Sequence, residues 1–313
     1  MAHGIIPLPP FEGGPGWGDP AQGGALHMKP AAKQRPRGSA AALLVPATLF
    51  VLAFLALPLL LLLRYSFNRF VPGQFMVEAF TLENYAKFVS DAYYRDVLAT
   101  TVTMSAAVTA ICLAAGFPAA MFLARVEGRR KSLLILAVVL PLFVGNAVRA
   151  AGWMLAFGRQ GIVNYLLAKA GLADAPLELL YRPGAVLVGI VAVNLPFVVL
   201  TLQSVLEGLD PRTEEAALSL GASSFETWRL VTLPLVLPGV IAAAVLCFIL
   251  SMNAYATPVL LGGPQFHMMA PAVADQILQQ NNWPFGASLA FVLMLVTLVL
   301  TGLANAVVQR RRG

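Results

Sequence analysis

The sequence predicts an all-α membrane protein with six transmembrane helices, and three observations carry that prediction. Of 313 residues, 58% are apolar (Ala, Val, Ile, Leu, Met, Phe, Trp, Tyr, Cys) and only 12% are Asp, Glu, Lys or Arg, about half the charge of an average soluble protein and too little to coat a soluble surface. The same apolar content excludes a disordered chain. The apolar residues gather into six stretches, each long enough for the ~20 residues that a bilayer-crossing helix needs. The basic residues sit in short clusters beside those stretches, so the net charge of +6 reads as membrane topology and not as a nucleic-acid-binding face.

Residues 1–40 hold seven prolines and eight glycines without apolar periodicity, which predicts a disordered tail. The order of a signal peptide, with early charges, a short apolar core and a small-residue cleavage site, is absent from it. The predicted spans are Ala41–Leu63, Leu98–Ala124, Leu133–Phe157, Gly184–Val205, Leu235–Leu261 and Gly286–Val308. Residues 41–97 thus form a first span with an extracytoplasmic segment, and 98–308 a core region holding the other five spans. Pro58, Pro118, Pro141, Pro196 and Pro238 lie inside spans, where they kink helices either around a pathway or for packing. Lys and Arg number 13 in the tail, the 125–132 turn, the 206–234 loop and the end, against 7 in segments 64–97, 158–183 and 262–285. Both termini and the 206–234 loop are therefore expected in the cytoplasm. The loop is the weakest vote, since five acids outnumber its two basic residues.

That loop carries the most information. Asp210 is placed to cap a helix beginning at Pro211, a residue that loses nothing where its N–H would be unpaired. Gly221 is placed to end it in the left-handed conformation. Ser223 and Glu226 match the capping box of a second short helix, which Leu233-Pro234 is expected to end before the fifth span opens. Ala216 and Ala217 leave room for a close approach by another chain.

At these residues the chain resembles the integral-membrane permease subunits of binding-protein-dependent ABC importers. Their signature is E-A-A, three residues, G, nine residues, I-x-L-P. Here it reads Glu215-Ala216-Ala217, Gly221, then Val231-Thr232-Leu233-Pro234, with valine for isoleucine. The resemblance spans about residues 40–310. Thr81 to Tyr85, Gly116-Phe117-Pro118, Pro141 with Arg149 and Trp153, Gly161 with Asn164, Asn194 with Pro196, and Tyr255 through Gly262-Gly263-Pro264 look like the spermidine/putrescine branch. The tail departs from that branch. The resemblance implies a type I ABC importer permease fold, with 209–234 as the coupling loop that docks on an ATP-binding subunit and Glu215 pairing with a basic residue there. It also implies two copies of that subunit, a second permease subunit, an extracytoplasmic substrate-binding protein, and residence in the bacterial inner membrane.

No reacting groups accompany this pattern, and neither an enzyme nor a cofactor is expected. No G-x-x-x-x-G-K-[ST] phosphate loop occurs, the only Lys-Ser pair being Lys131-Ser132 after Arg130, so ATP hydrolysis must come from a partner. Cys112 and Cys247 lie in apolar runs and His3, His27 and His267 are scattered, which suggests no metal site. The expected spans contain no Asp or Glu, against a proton-driven carrier, and no inverted repeat is evident; a secondary carrier with sodium sites built from backbone carbonyls stays open as the lesser alternative. The polar residues within or bordering the spans include Asn146, Arg149, Asn194 and Asn253, and together with Trp153 and Tyr255 they are the pathway candidates. Asn146, Arg149 and Trp153 share a helical face by spacing. Arg149 either lines a watery pathway or snorkels over the ~12 Å to the outer end of its span. The asparagines are either ligands or interhelical glue. An arginine on the pathway weighs against a polyamine cargo and leaves another solute, such as an amino-acid derivative, as the alternative.

Overall fold

The computed structural model describes residues 37–310 except 173 and 174. Most of the expected tail therefore lies outside the described residues, and Arg37–Ala40 already belong to helix α1 (Arg37–Ser66). The chain divides into two units, residues 1–56 and 57–313. In the first unit, Val45, Pro46 and residues 48–56 are exposed and, Thr48 apart, apolar, with the Phe50 and Phe54 rings 4.4 Å apart, as suits a lipid-facing helix.

The second unit begins with the end of α1, a hairpin of β1 (Arg69–Val71) and β2 (Gln74–Val77), and α2 (Glu83–Ser90). Asn84 ties these together: its Nδ2 donates to the carbonyls of Ser66 (2.8 Å) and Asn68 (2.9 Å). The long helices α3 (Ala92–Arg125), α7 (Pro183–Glu207), α10 (Leu233–Met252) and α13 (Trp283–Arg310) follow, with α12 (Met269–Leu278) against the last. One core joins α3, α7 and α10 around Val108, Ile190, Val198, Leu202 and Ala243. Another joins α2, α12 and α13 to the start of α3 around Phe88, Tyr94, Met269, Phe285 and Leu289. Lipid supplies no hydrophobic drive for helix association, so close approach at small residues matters most. A Cβ on Gly116 would lie 3.0 Å from Val198, and one on Gly239 would overlap Val205.

Among the described residues, five helices are long and apolar enough to cross a membrane, or six when one bent pair counts as a span. That pair corrects the third expected span. Leu133–Phe157 is not one helix: α4 (Gly128–Val139) runs into a 3-10 turn at Leu140–Phe143, and α5 (Asn146–Phe157) leaves at 95° before α6 (Ile162–Lys169). Pro141 has no N–H for the carbonyl one turn back, and Val144 and Gly145 are extended with ψ of 125° and 145°.

The fifth expected span is also too long. Helix α10 stops at Met252, and Ala256–Gly262 form the separate α11. Asn253 accounts for the stop, because its side chain takes the Ile249 carbonyl (2.8 Å) while Ala254 N–H turns back to Ser251 (3.1 Å), a local bond that competes with the helix ladder. At the other end Leu233-Pro234 does not end a helix. α9 (Ser224–Thr227) passes through a π turn at Trp228–Thr232 into α10, and that wide turn absorbs the bond Pro234 cannot donate. Helix α3 also begins at Ala92 rather than Leu98, which brings an exposed Asp96 into its first turns.

Candidate functional site

The 209–234 loop is built almost wholly from short-range bonds. The Asp210 carboxylate accepts Arg212 N–H (3.0 Å), and Pro211 opens α8 (Pro211–Ser219). At its end Gly221 has φ +89°, with Gly221 N–H bonding Leu218 O (3.0 Å) and Ala222 N–H bonding Ala217 O (3.2 Å). These two bonds are the pair that closes a helix through a left-handed residue. The capping box is complete: Glu226 N–H reaches Ser223 Oγ (3.3 Å) and Ser223 N–H reaches Glu226 Oε2 (2.8 Å). Glu215, Ala216, Leu218 and Gly221 are exposed, as are Leu220 at 89% and Phe225 at 64%. An acidic residue beside bare apolar side chains on a doubly capped frame is suited to a groove on another protein. Leu233 and Pro234 sit apart from this surface, in the first turn of α10.

Adjacent helical residues point about 100° apart, so Glu214 turns where Glu215 does not. Its Oε1 accepts the Thr232 hydroxyl (2.7 Å), and its Oε2 lies 4.0 Å from Arg125 Nη2 at the end of α3. Lys131 Nζ in α4 pairs with Glu207 Oε1 (2.7 Å) at the end of α7, and Gln203 donates to the same oxygen (2.8 Å). Arg125, Lys131, Glu207, Glu214 and Thr232 line a cleft of about 520 Å³ behind the loop. Sequence reasoning named Glu215 and missed Glu214, whose only signal was its place beside it.

A second cleft of about 620 Å³ is cut into the helices where α5, α7 and α10 meet. Asn146, Arg149, Asn194, Asn253 and Tyr255 all line it. Asn146 comes from the first turn after the 95° bend, and its Oδ1 accepts Arg149 Nη2. Asn194 is buried and donates to Ser251 Oγ (2.8 Å), which itself bonds Cys247 O (2.7 Å). Among the described residues, Arg149 Nε and Nη1 are buried without a hydrogen-bond partner, and Arg149 is the only charged residue in the lining. Trp153 is not brought here. It stacks on Phe157 with centroids 5.2 Å apart and packs against the core. Two breaks absent from the expected spans, at Val144-Gly145 and at Asn253, form much of this wall. No cluster of three or more metal-binding side chains occurs among the described residues.

Residues 113–313 match the family described as "Binding-protein-dependent transport system inner membrane component". The spermidine/putrescine transport system permease protein PotB of Haemophilus influenzae is 33% identical over 265 residues, covering 84% of this chain and 92% of that protein. PotB of Escherichia coli is 32% identical over 247 residues, covering 79% and 90%. In fold, the chain is similar to one in a bacterial ABC transporter that imports the acidic polysaccharide alginate. The TM-score is 0.69 at 19% identity, over 87% of this chain and 96% of that one. Two interrupted spans, a capped helix-turn-helix before the fifth span and these similarities converge: the chain belongs to the inner-membrane components of binding-protein-dependent transport systems, the permease subunits of ABC importers.

Proposed function

We propose that the chain is one of two permease subunits in a type I ABC importer for a polyamine such as spermidine or putrescine. The exposed outer face of the 209–234 loop carries the reading. Leu220 and Phe225 flank a glycine turn that needs no outside contact to hold its shape, so the surface is free for an ATP-binding subunit. Glu215 supplies the charge for a basic residue there. Two such subunits hydrolyse ATP, and their closure pushes the loop. Arg125, Glu214 and Thr232 pass the push to α3 and α10, and the spans rock between outward and inward states around the Arg149 cleft. A second permease completes the path, and an extracytoplasmic binding protein delivers cargo to the face opposite the loop. Both termini lie in the cytoplasm, on the Lys and Arg distribution.

The cargo rests on the relatives at 32–33% identity. Arg149 favours a second reading, a solute carrying a carboxylate such as an amino-acid derivative. Co-expression with the companion permease, ATP-binding subunit and binding protein, followed by uptake of labelled spermidine and of labelled amino acids, separates the two. Polyamine uptake that stops when ATP is removed supports the first reading. Amino-acid uptake alone replaces it with the second, and failure of any ATP-binding subunit to co-purify overturns the coupling role. Topology is tested by a single cysteine at position 219 after replacement of Cys112 and Cys247. Labelling by an impermeant reagent from outside intact cells would reverse the loop's assigned side.

A further inference from the structure

A larger cleft, of about 630 Å³, lies between the start of α3, the segment before α7, and α11 and α12. Tyr93, Tyr94, Tyr181, Tyr255 and Phe266 line it together with His267, whose ring stands edge-on to Tyr93 at 5.5 Å, and no Lys or Arg does. Asp275 is its only carboxylate, exposed and without an ion pair among the described residues. Tyr255 lines this cleft and the Arg149 cleft alike. The two neighbours thus carry opposite charge on either side of one aromatic ring.

The rings are held in place. Tyr94 meets Phe285 edge-on at 4.8 Å, its hydroxyl accepts Gln276 Nε2 (3.2 Å), and Tyr93 stands edge-on to it at 5.0 Å. Tyr181 has φ +61° and gives its N–H to Leu261 O (3.1 Å). That left-handed backbone is unfavourable for a bulky residue, and Gly263, also left-handed at φ +66°, leaves the space in which Tyr181 sits. Aromatic faces attract cations, more strongly when water is excluded, and a free carboxylate supplies the counter-charge. A carboxylate-bearing cargo would meet Asp275 as a like charge.

We propose that this cleft is a binding site for an aliphatic di- or triammonium ion, with Asp275 pairing one ammonium group and the tyrosine faces holding the methylene chain and the next. The inference rests on the permease reading above and names the cargo chemistry at the entrance to its pathway.

The test uses the assembled importer in lipid nanodiscs without its binding protein, and labelled spermidine as probe. Saturable binding is expected, displaced by putrescine and not by diacetylputrescine or glutamate. Asp275→Asn should weaken it by about 10-fold or more, the scale of one charge-assisted contact, and Asp275→Glu should restore most of it. Normal co-purification of the ATP-binding subunit shows that each variant is folded. No saturable binding, equal displacement by glutamate, or unchanged affinity in Asp275→Asn overturns the site. An importer that binds spermidine in this way yet does not transport it when its binding protein is present keeps the site and sinks the polyamine-importer reading. Polyamine uptake at the wild-type rate in Asp275→Asn does the reverse.

Discussion

The 209–234 loop and the Arg149 cleft satisfy their polar groups in opposite ways. From Asp210 to Glu226 every capping bond joins residues no more than five apart, so the loop keeps its shape wherever it is carried. The cleft draws its lining from residues between 142 and 257. Asn194 in its lining reaches across to Ser251 on another helix, and among the described residues two nitrogens of Arg149 have no partner. A locally closed unit transmits force as a rigid body, whereas a cleft assembled from separate helices changes whenever they shift. The proposed coupling would use both kinds of region, with Glu214 joining the loop to Thr232 and lying 4.0 Å from Arg125 at the end of α3.

The largest expected effect tests the unsatisfied side of this contrast. A charged residue midway along a span costs about 2.5–3.5 kcal/mol on insertion scales, and Arg149 offsets this with a single side-chain bond. Arg149→Leu should leave membrane abundance and thermal midpoint equal or higher while cargo uptake falls. A lower midpoint would mean that the cleft is held together by its arginine, and the contrast would break. Next in size is Gly189→Val. A Cβ there would lie 2.6 Å from Thr257 Cγ2 and 3.1 Å from Leu261 Cδ2, and overpacking of this kind costs about 1–3 kcal/mol. Here the midpoint of the purified chain should drop, because α7 and α11 are forced apart.

The same division decides what was legible in the sequence. Asp210, Pro211, Gly221, Ser223 and Glu226 act on near neighbours, so residue type and spacing were enough to read their roles. The end of α9 was misread because Leu233-Pro234 signals a break, and a π turn absorbs the proline instead. The third span was misread for a related reason: apolar length sets the candidate span, while the 95° bend depends on extended backbone at Val144 and Gly145, which hydropathy does not register. Trp153 shares a helical face with Arg149 by spacing, yet it packs on Phe157, since spacing says nothing about which neighbour fills the face. Asp275 gave no sequence signal at all, because its significance comes largely from Tyr93, Tyr94 and Tyr181, each more than 90 positions away on the chain.

Gly221→Leu should have a smaller energetic effect than Gly189→Val and a larger functional one. Among the described residues nothing lies within 4 Å of a Cβ at Gly221, so no clash arises, and the cost is the left-handed backbone, about 1–2 kcal/mol. Insertion depends on apolar length and should be unaffected. Membrane abundance should be normal and uptake lost, with weaker ATP-binding-subunit association if the added side chain obstructs docking. Wild-type uptake would show that the turn is not a docking element, and loss of the protein from the membrane would show that the loop matters for folding.

Ser223→Ala should give the smallest effect, because the capping box closes α9 from both sides. Loss of a serine cap costs about 0.5–2 kcal/mol. The variant removes the acceptor for Glu226 N–H, but the Glu226 carboxylate still takes Ser223 N–H at 2.8 Å through the backbone. The cost should therefore fall at the lower end of that range, and uptake should be reduced without being abolished. Hydrogen exchange should quicken at residues 224–226, whose N–H groups have no carbonyl a full turn back within the helix, and stay unchanged in α8, whose own caps are intact. Ser223→Thr keeps a hydroxyl that accepts Glu226 N–H and donates to Glu226 Oε2, and should restore both readouts. If exchange quickened through α8 as well, the two short helices would share one cap, and the loop would not be the locally closed unit that sets it apart from the cleft.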